Sequence, residues 1–114
     1  MKKAKHAPLI FFNASVIIAG LVSPTGGSAR LLKDVKEKQI NGVLSEIIVD
    51  EVLRHAAKIG KPKSTIEQSV KNVFPVVSAA PAKVLVHKYI EKVLDQGDAH
   101  VLASCDELEC KYLV

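Results

Sequence analysis

The stretch "LIFFNASVIIAG", residues 9–20, decides how this chain folds. After the lysines of "MKKAKHAP" it has the basic start and apolar run of a secretory signal, with small residues following in "SPTGGSA". It also reads as a buried strand, Leu9–Phe12, that breaks at Asn13 into a helix. Asn13 and Ser15 interrupt the apolar run and Pro8 stands at its entrance, both unlike a signal. The stretch falls short of the roughly 20 apolar residues needed to span a bilayer. Four apolar residues in succession suit a strand covered on both faces.

The rest of the chain favours the strand. Val16–Val22 continues as a short helix that "SPTGG" ends, and "ARLLKDVKEKQ" follows Ser28 with Leu31, Leu32 and Val35 at helical spacing. "NGVLS" supplies a turn and a short strand, Val43–Leu44. Ser45 is placed as the N-cap of "EIIVDEVLRHAAKI", with Gly60 as its terminator. In that helix Ile48, Val52 and Ala56 form one apolar row, Val49 and Leu53 a second. Thr65–Val73 predicts a further helix, and "FPVVSA" a third strand. "AKVLVHKYIEKVL" carries Val84, Leu85, Lys88, Tyr89 and Lys92 at helix spacing. "DQGD" interrupts, "AHVLASCDELE" opens the last helix, and "KYLV" is a fourth strand.

Strands separated by helical segments build a parallel sheet covered on both faces, within a single domain over residues 1–114. A chain of this length buries roughly two-thirds of its unfolded surface. A hydrophobic share of 48% with 25% charged residues argues against disorder. The net charge of +4 permits an anionic partner without requiring one. With 4% aromatic residues, stacking platforms for single-stranded bases are not expected. Cys105 and Cys110, five residues apart on a helix, diverge by roughly 140°; they read as reduced thiols of a cytoplasmic protein, without the partners of a zinc site.

In open parallel sheets chemistry gathers at the carboxyl ends of the strands, which directs attention to Asn13. Glu51 lies at the margin of an apolar stripe, and Asp98 opens the last helix. Each has a structural explanation as well: a cap for Asn13 and Asp98, a solvated acid for Glu51. "KHAP" at the start, Arg30, Lys33 and the "KIGKPK" loop could line a path for an RNA backbone, although solvated lysines are the better explanation. "PTGGSAR" lacks the spacing of a phosphate-binding loop, and His55 and His100 read as surface residues.

"LIFFNASVIIAGLVSPTGGSARLL", "LSEIIVDEVLRH" and "DQGDAHVLASCDELECKYLV" follow one another in the order and spacing of the PIN-domain family. Over essentially its whole length the chain resembles these metal-dependent ribonucleases, many of them toxins of toxin–antitoxin pairs. The resemblance implies a three-layer α/β/α fold with a central parallel sheet of about four strands. It also implies an acidic pocket for Mg²⁺ or Mn²⁺ and hydrolysis of RNA phosphodiester bonds.

By position, the family's first acid falls on Asn13, its glutamate on Glu51 and its third acid on Asp98. Hard cations prefer oxygen ligands and are drawn by negative charge, so two departures matter. Asn13 brings no charge and Ser15 replaces the companion asparagine. The family's fourth acid and its last strand lie beyond the point at which "KYLV" ends, so a C-terminal strand is expected to be missing. Asp95 falls in a loop, and Asp106 lies two turns further along the last helix.

The expected function is therefore a domain of ribonuclease ancestry with an impaired metal site. The alternatives are a non-catalytic module that binds RNA or protein, and a truncated form of an active nuclease. Two carboxylates about 4 Å apart repel by roughly 4 kcal/mol at an effective dielectric of 20. Asn13→Asp is on that ground expected to destabilise the metal-free protein and to make its melting depend on Mn²⁺. An unpaired sheet edge at the last strand leads to the expectation of a homodimer or an antitoxin-like protein partner, with no membrane association.

Overall fold

The structure is a computed structural model that describes residues 9–81, 96–110 and 112–114, without the side chains of residues 96–98. The helix expected over "AKVLVHKYIEKVL", the basic start "KHAP" and Asp95 all lie outside the described residues. Among those described, the order is β1 (Leu9–Phe11), α1 (Ala14–Val22), α2 (Gly27–Lys36), β2 (Asn41–Ser45), α3 (Glu46–Arg54), α4 (Ala56–Ile59), α5 (Lys63–Val73), β3 (Val77–Ser78), α6 (Gln96–Glu107) and β4 (Tyr112–Leu113). The strands form one sheet in the order β3-β2-β1-β4, with every pairing parallel. This is the mixed α/β architecture expected, with a four-stranded parallel sheet.

Burial explains why the sheet is central. Successive strand residues point to opposite faces, yet Phe11 and Phe12 are both 0% exposed. Val43, Leu44 and Ser45 are likewise buried in succession. Only a sheet covered on both sides hides neighbours in this way. β1 ends one residue earlier than the sequence suggests, but Phe12 still donates its N–H to the Val43 carbonyl at 2.9 Å. "LIFFNASVIIAG" is a core strand running into a helix.

The helices pack on one another as their apolar rows dictate. α1 contacts α2, α3 and α4, while α5 contacts α2 and α3. Gly20 sits where α1 meets α2: a β-carbon there would stand 2.5 Å from Leu32 Cδ1. Phe12 meets Phe74 edge to face, with centroids 5.1 Å apart, which ties the end of β1 to the end of α5.

The helix expected over residues 46–59 is divided at His55. Its ring Nδ1 lies 2.8 Å from the Glu51 carbonyl, which would otherwise receive the main-chain N–H of residue 55. That N–H turns to the Val52 carbonyl at 3.0 Å instead. A side chain has taken the place of a rung in the helical ladder, and α4 resumes until Gly60 (φ 82°) ends it.

Two further helices end in Schellman motifs without glycine. Lys38 and Glu109 hold the left-handed position, with φ of 62° and 55°. After α2, Gln39 N–H bonds to Asp34 O and Lys38 N–H to Val35 O. After α6, Cys110 N–H bonds to Cys105 O at 2.9 Å and Glu109 N–H to Asp106 O at 3.1 Å. Among the described residues no single helix is long and apolar enough to cross a membrane.

Candidate functional site

The carboxyl end of β1 is held from both sides. Phe12 is bonded to β2, and Asn13 donates its N–H to the carbonyl of Val114 at 2.7 Å, just past β4. Asn13 is half-buried, with extended backbone angles, and its Oδ1 accepts the N–H of Ala14 at 2.7 Å. Its side-chain oxygen caps α1. The capping explanation and the active-site position thus coincide in one residue.

A groove of about 450 Å³ runs between α1 and the α3–α4 pair, lined by Ser15, Ala19, Glu51, His55 and Lys58 among others. Glu51 is half-buried there, and Ser15, the second residue of α1, faces the same space. The fold therefore brings together Glu51 and the serine that replaces the family's companion asparagine. Ser45, 2% exposed, accepts the N–H of Ile48 at 3.4 Å and fixes where α3 begins, and hence where Glu51 falls.

Asp98 lies in the first turn of α6, and its side chain lies outside the described residues. Asp106, two turns further along α6, is exposed.

Lys58, the first residue of "KIGKPK", and His55, read as a surface residue, are both exposed, and what sequence reasoning missed is that they share the Glu51 groove. Their signal was spacing: four and seven residues after Glu51 is one helical face. Because a carbonyl oxygen only accepts, the contact with Glu51 O places a proton on Nδ1. His100 departs from its reading as a surface residue. It is half-buried, and its Nδ1 has no hydrogen-bond partner, like the Ser104 hydroxyl four residues on. Arg30 is engaged with Asp34 on its own helix at 3.2 Å. That leaves Lys58 as the basic residue lining this groove.

The donor set of the described residues fits a hard divalent cation poorly. Among the described residues no group of three or more His, Cys, Asp or Glu side chains is arranged to hold a metal ion. The groove offers one carboxylate, one imidazole and one hydroxyl beside an ammonium group, and the Asn13 oxygen is occupied as a cap. Mg²⁺ and Mn²⁺ favour oxygen-rich sites with carboxylates. No catalytic step through a metal is derived from this set.

The cysteines also depart from expectation. They do not diverge, because α6 ends at Glu107 and the chain doubles back at Glu109. The Cys105 thiol reaches the Cys110 carbonyl at 3.7 Å. Burial pushes the Cys105 thiol up, Cys110 draws it partly back, and Asp106 adds to the rise. Burial, then the Cys105 thiol beside it, pushes Cys110 up to about 12.

No curated protein matches the chain. The family model for the PIN domain matches residues 10–114, from the second residue of β1 through Asn13, Glu51 and Asp98 to the end of β4. This chain belongs to the PIN-domain family.

Proposed function

We propose that this PIN domain descends from metal-dependent ribonucleases and that its phosphodiester-cleaving centre is impaired at position 13. One observation carries this reading. The residue at the family's first acidic position is a neutral amide whose oxygen is engaged as the cap of α1. Glu51 remains in the groove, as ancestry from a nuclease requires, but without a charged partner at the end of β1. Mg²⁺ or Mn²⁺ is the cation such a centre would take, with Glu51 and Asp98 as carboxylate ligands and Asn13 as a weak one.

Lys58 and His55 beside Glu51 support RNA as the polyanion that enters the groove. The test is cleavage of a labelled single-stranded RNA in Mn²⁺ and in EDTA. The expected result is no difference between the two. Cleavage that requires Mn²⁺ and disappears in Glu51→Gln would overturn the reading.

The exposed edge of the sheet supports a second reading, an interaction module. Among the described residues β4 is an outer strand, and its Tyr112 and Leu113 are 52% and 42% exposed. An apolar strand at a sheet edge favours pairing with another strand. A second copy of the chain is the proposed partner, and an antitoxin-like protein the competing one. Light scattering at high concentration is expected to give a dimer that Tyr112→Lys disperses; a monomer throughout contradicts it.

A further inference from the structure

The Schellman motif that closes α6 places its third-from-last helical residue against the second residue beyond the cap, a contact ordinarily made by apolar side chains. Here those positions are Cys105 and Cys110. Both diagnostic main-chain bonds are present, and the positive φ of Glu109 makes the reversal. We propose that Cys105 and Cys110 are an oxidative modification site that closes to an intrachain disulfide with a small-molecule disulfide as oxidant.

The geometry favours the pair over either thiol alone. The Cys110 N–H bonds to the Cys105 carbonyl at 2.9 Å, which draws the two backbones together as a disulfide requires. The Cys105 thiol is directed at Cys110, reaching its carbonyl at 3.7 Å. Both side chains are half-buried and both thiols are free. They pack against the edge of the hydrophobic core.

The chemistry balances as two exchanges. Cys105 loses its proton to solvent and its thiolate attacks one sulfur of the oxidant, releasing one small thiolate. Cys110 then loses its proton and attacks the sulfur of Cys105, releasing the second. The protein gives up two protons and two electrons, and the oxidant leaves as two thiols. Because the thiolate is the attacking form and both thiols are pushed up, the reaction is slow at neutral pH and quickens as pH rises.

The position gives the cross-link a consequence. Cys110 lies two residues before β4, and Val114 just after β4 receives the Asn13 N–H. A bond from α6 to the entry of β4 therefore stiffens the strand that flanks position 13. This inference rests on the turn geometry and stands apart from the reading of the groove.

The test treats the folded protein with oxidised glutathione at mildly alkaline pH and reads intact mass, free thiols and melting temperature. The expected product is a single chain lighter by two hydrogens, with no free thiol and a peptide joining Cys105 to Cys110. Its melting temperature rises by about 5 °C or more and returns with dithiothreitol. Cys110→Ser is expected to collect a glutathione adduct at Cys105 instead. Stable glutathione adducts on the unsubstituted protein, disulfides between chains, or two unreacted thiols would each overturn the proposal.

Discussion

The N–H of Asn13 and the carbonyl of Val114 are joined at 2.7 Å, so the first strand of the sheet and the last meet at the candidate site. Position 13 is thus set by three elements: β1 before it, α1 after it and the segment following β4 beside it. What the residue does there depends on its side chain. As asparagine it caps a helix.

The cap predicts the effect of removing it. Asn13→Ala loses the acceptor for the Ala14 N–H and is expected to cost about 1 kcal/mol in denaturant unfolding. Asn13→Asp keeps an acceptor, and a carboxylate at a helix N-terminus is favoured by the dipole. The structure thereby narrows the expected destabilisation of metal-free Asn13→Asp to carboxylate repulsion alone. Its midpoint in EDTA is expected to lie closer to the parent than that of Asn13→Ala.

Gly42 in β2 is required by close packing. A β-carbon there would stand 2.7 Å from Val35 Cγ2 and 3.0 Å from Phe74 Cε1, both buried. Gly42→Ala is expected to destabilise by about 1–3 kcal/mol. An unchanged unfolding midpoint would show that α2 and α5 yield more easily than the contacts indicate.

Lys38 pays the steric cost of the left-handed region, φ 62°, without a structural role for its exposed side chain. Lys38→Gly is expected to stabilise by about 0.5–1 kcal/mol, the relief being partly offset by a freer unfolded chain. Thermal melting checks the sign.

Cys110 predicts an alkaline limb of the stability curve. Its folded pKa, pushed up to about 12, exceeds the ordinary 9.0. The folded state therefore holds the proton that the unfolded state releases. This contribution is fully present below about pH 9 and is lost as pH rises toward the folded value. Under reducing conditions, stability is expected to fall less between about pH 8 and about pH 10 in the Cys105→Ser/Cys110→Ser variant than in the parent.

Much of the fold was legible because its signals are local. The apolar run before Asn13, the Ser45 cap and the left-handed Gly60 each act within a few residues, and each stands where expected. What stayed hidden depended on one side chain competing with the backbone or on a turn without its usual residue. His55 divides a helix by taking the Glu51 carbonyl, which periodicity does not register. Glu109 reverses the chain in a conformation that glycine usually marks, so the cysteines seemed to lie on one continuous helix. For the site, the strand end pointed to Asn13, and the resemblance to the PIN-domain family marked Asn13, Glu51 and Asp98. That Ser15, His55 and Lys58 share the Glu51 groove emerged from the packing of α1 on α3 and α4.

The central claim is that position 13 has lost the charge a divalent cation needs. The most direct measurement is Mn²⁺ titration by calorimetry of this protein and of Asn13→Asp. The account predicts no measurable binding by the parent and clear binding by Asn13→Asp, with a melting temperature that rises with Mn²⁺ only in the variant. Tight binding by the parent that Glu51→Gln abolishes would contradict it, since the groove would then hold the cation without an acid at position 13.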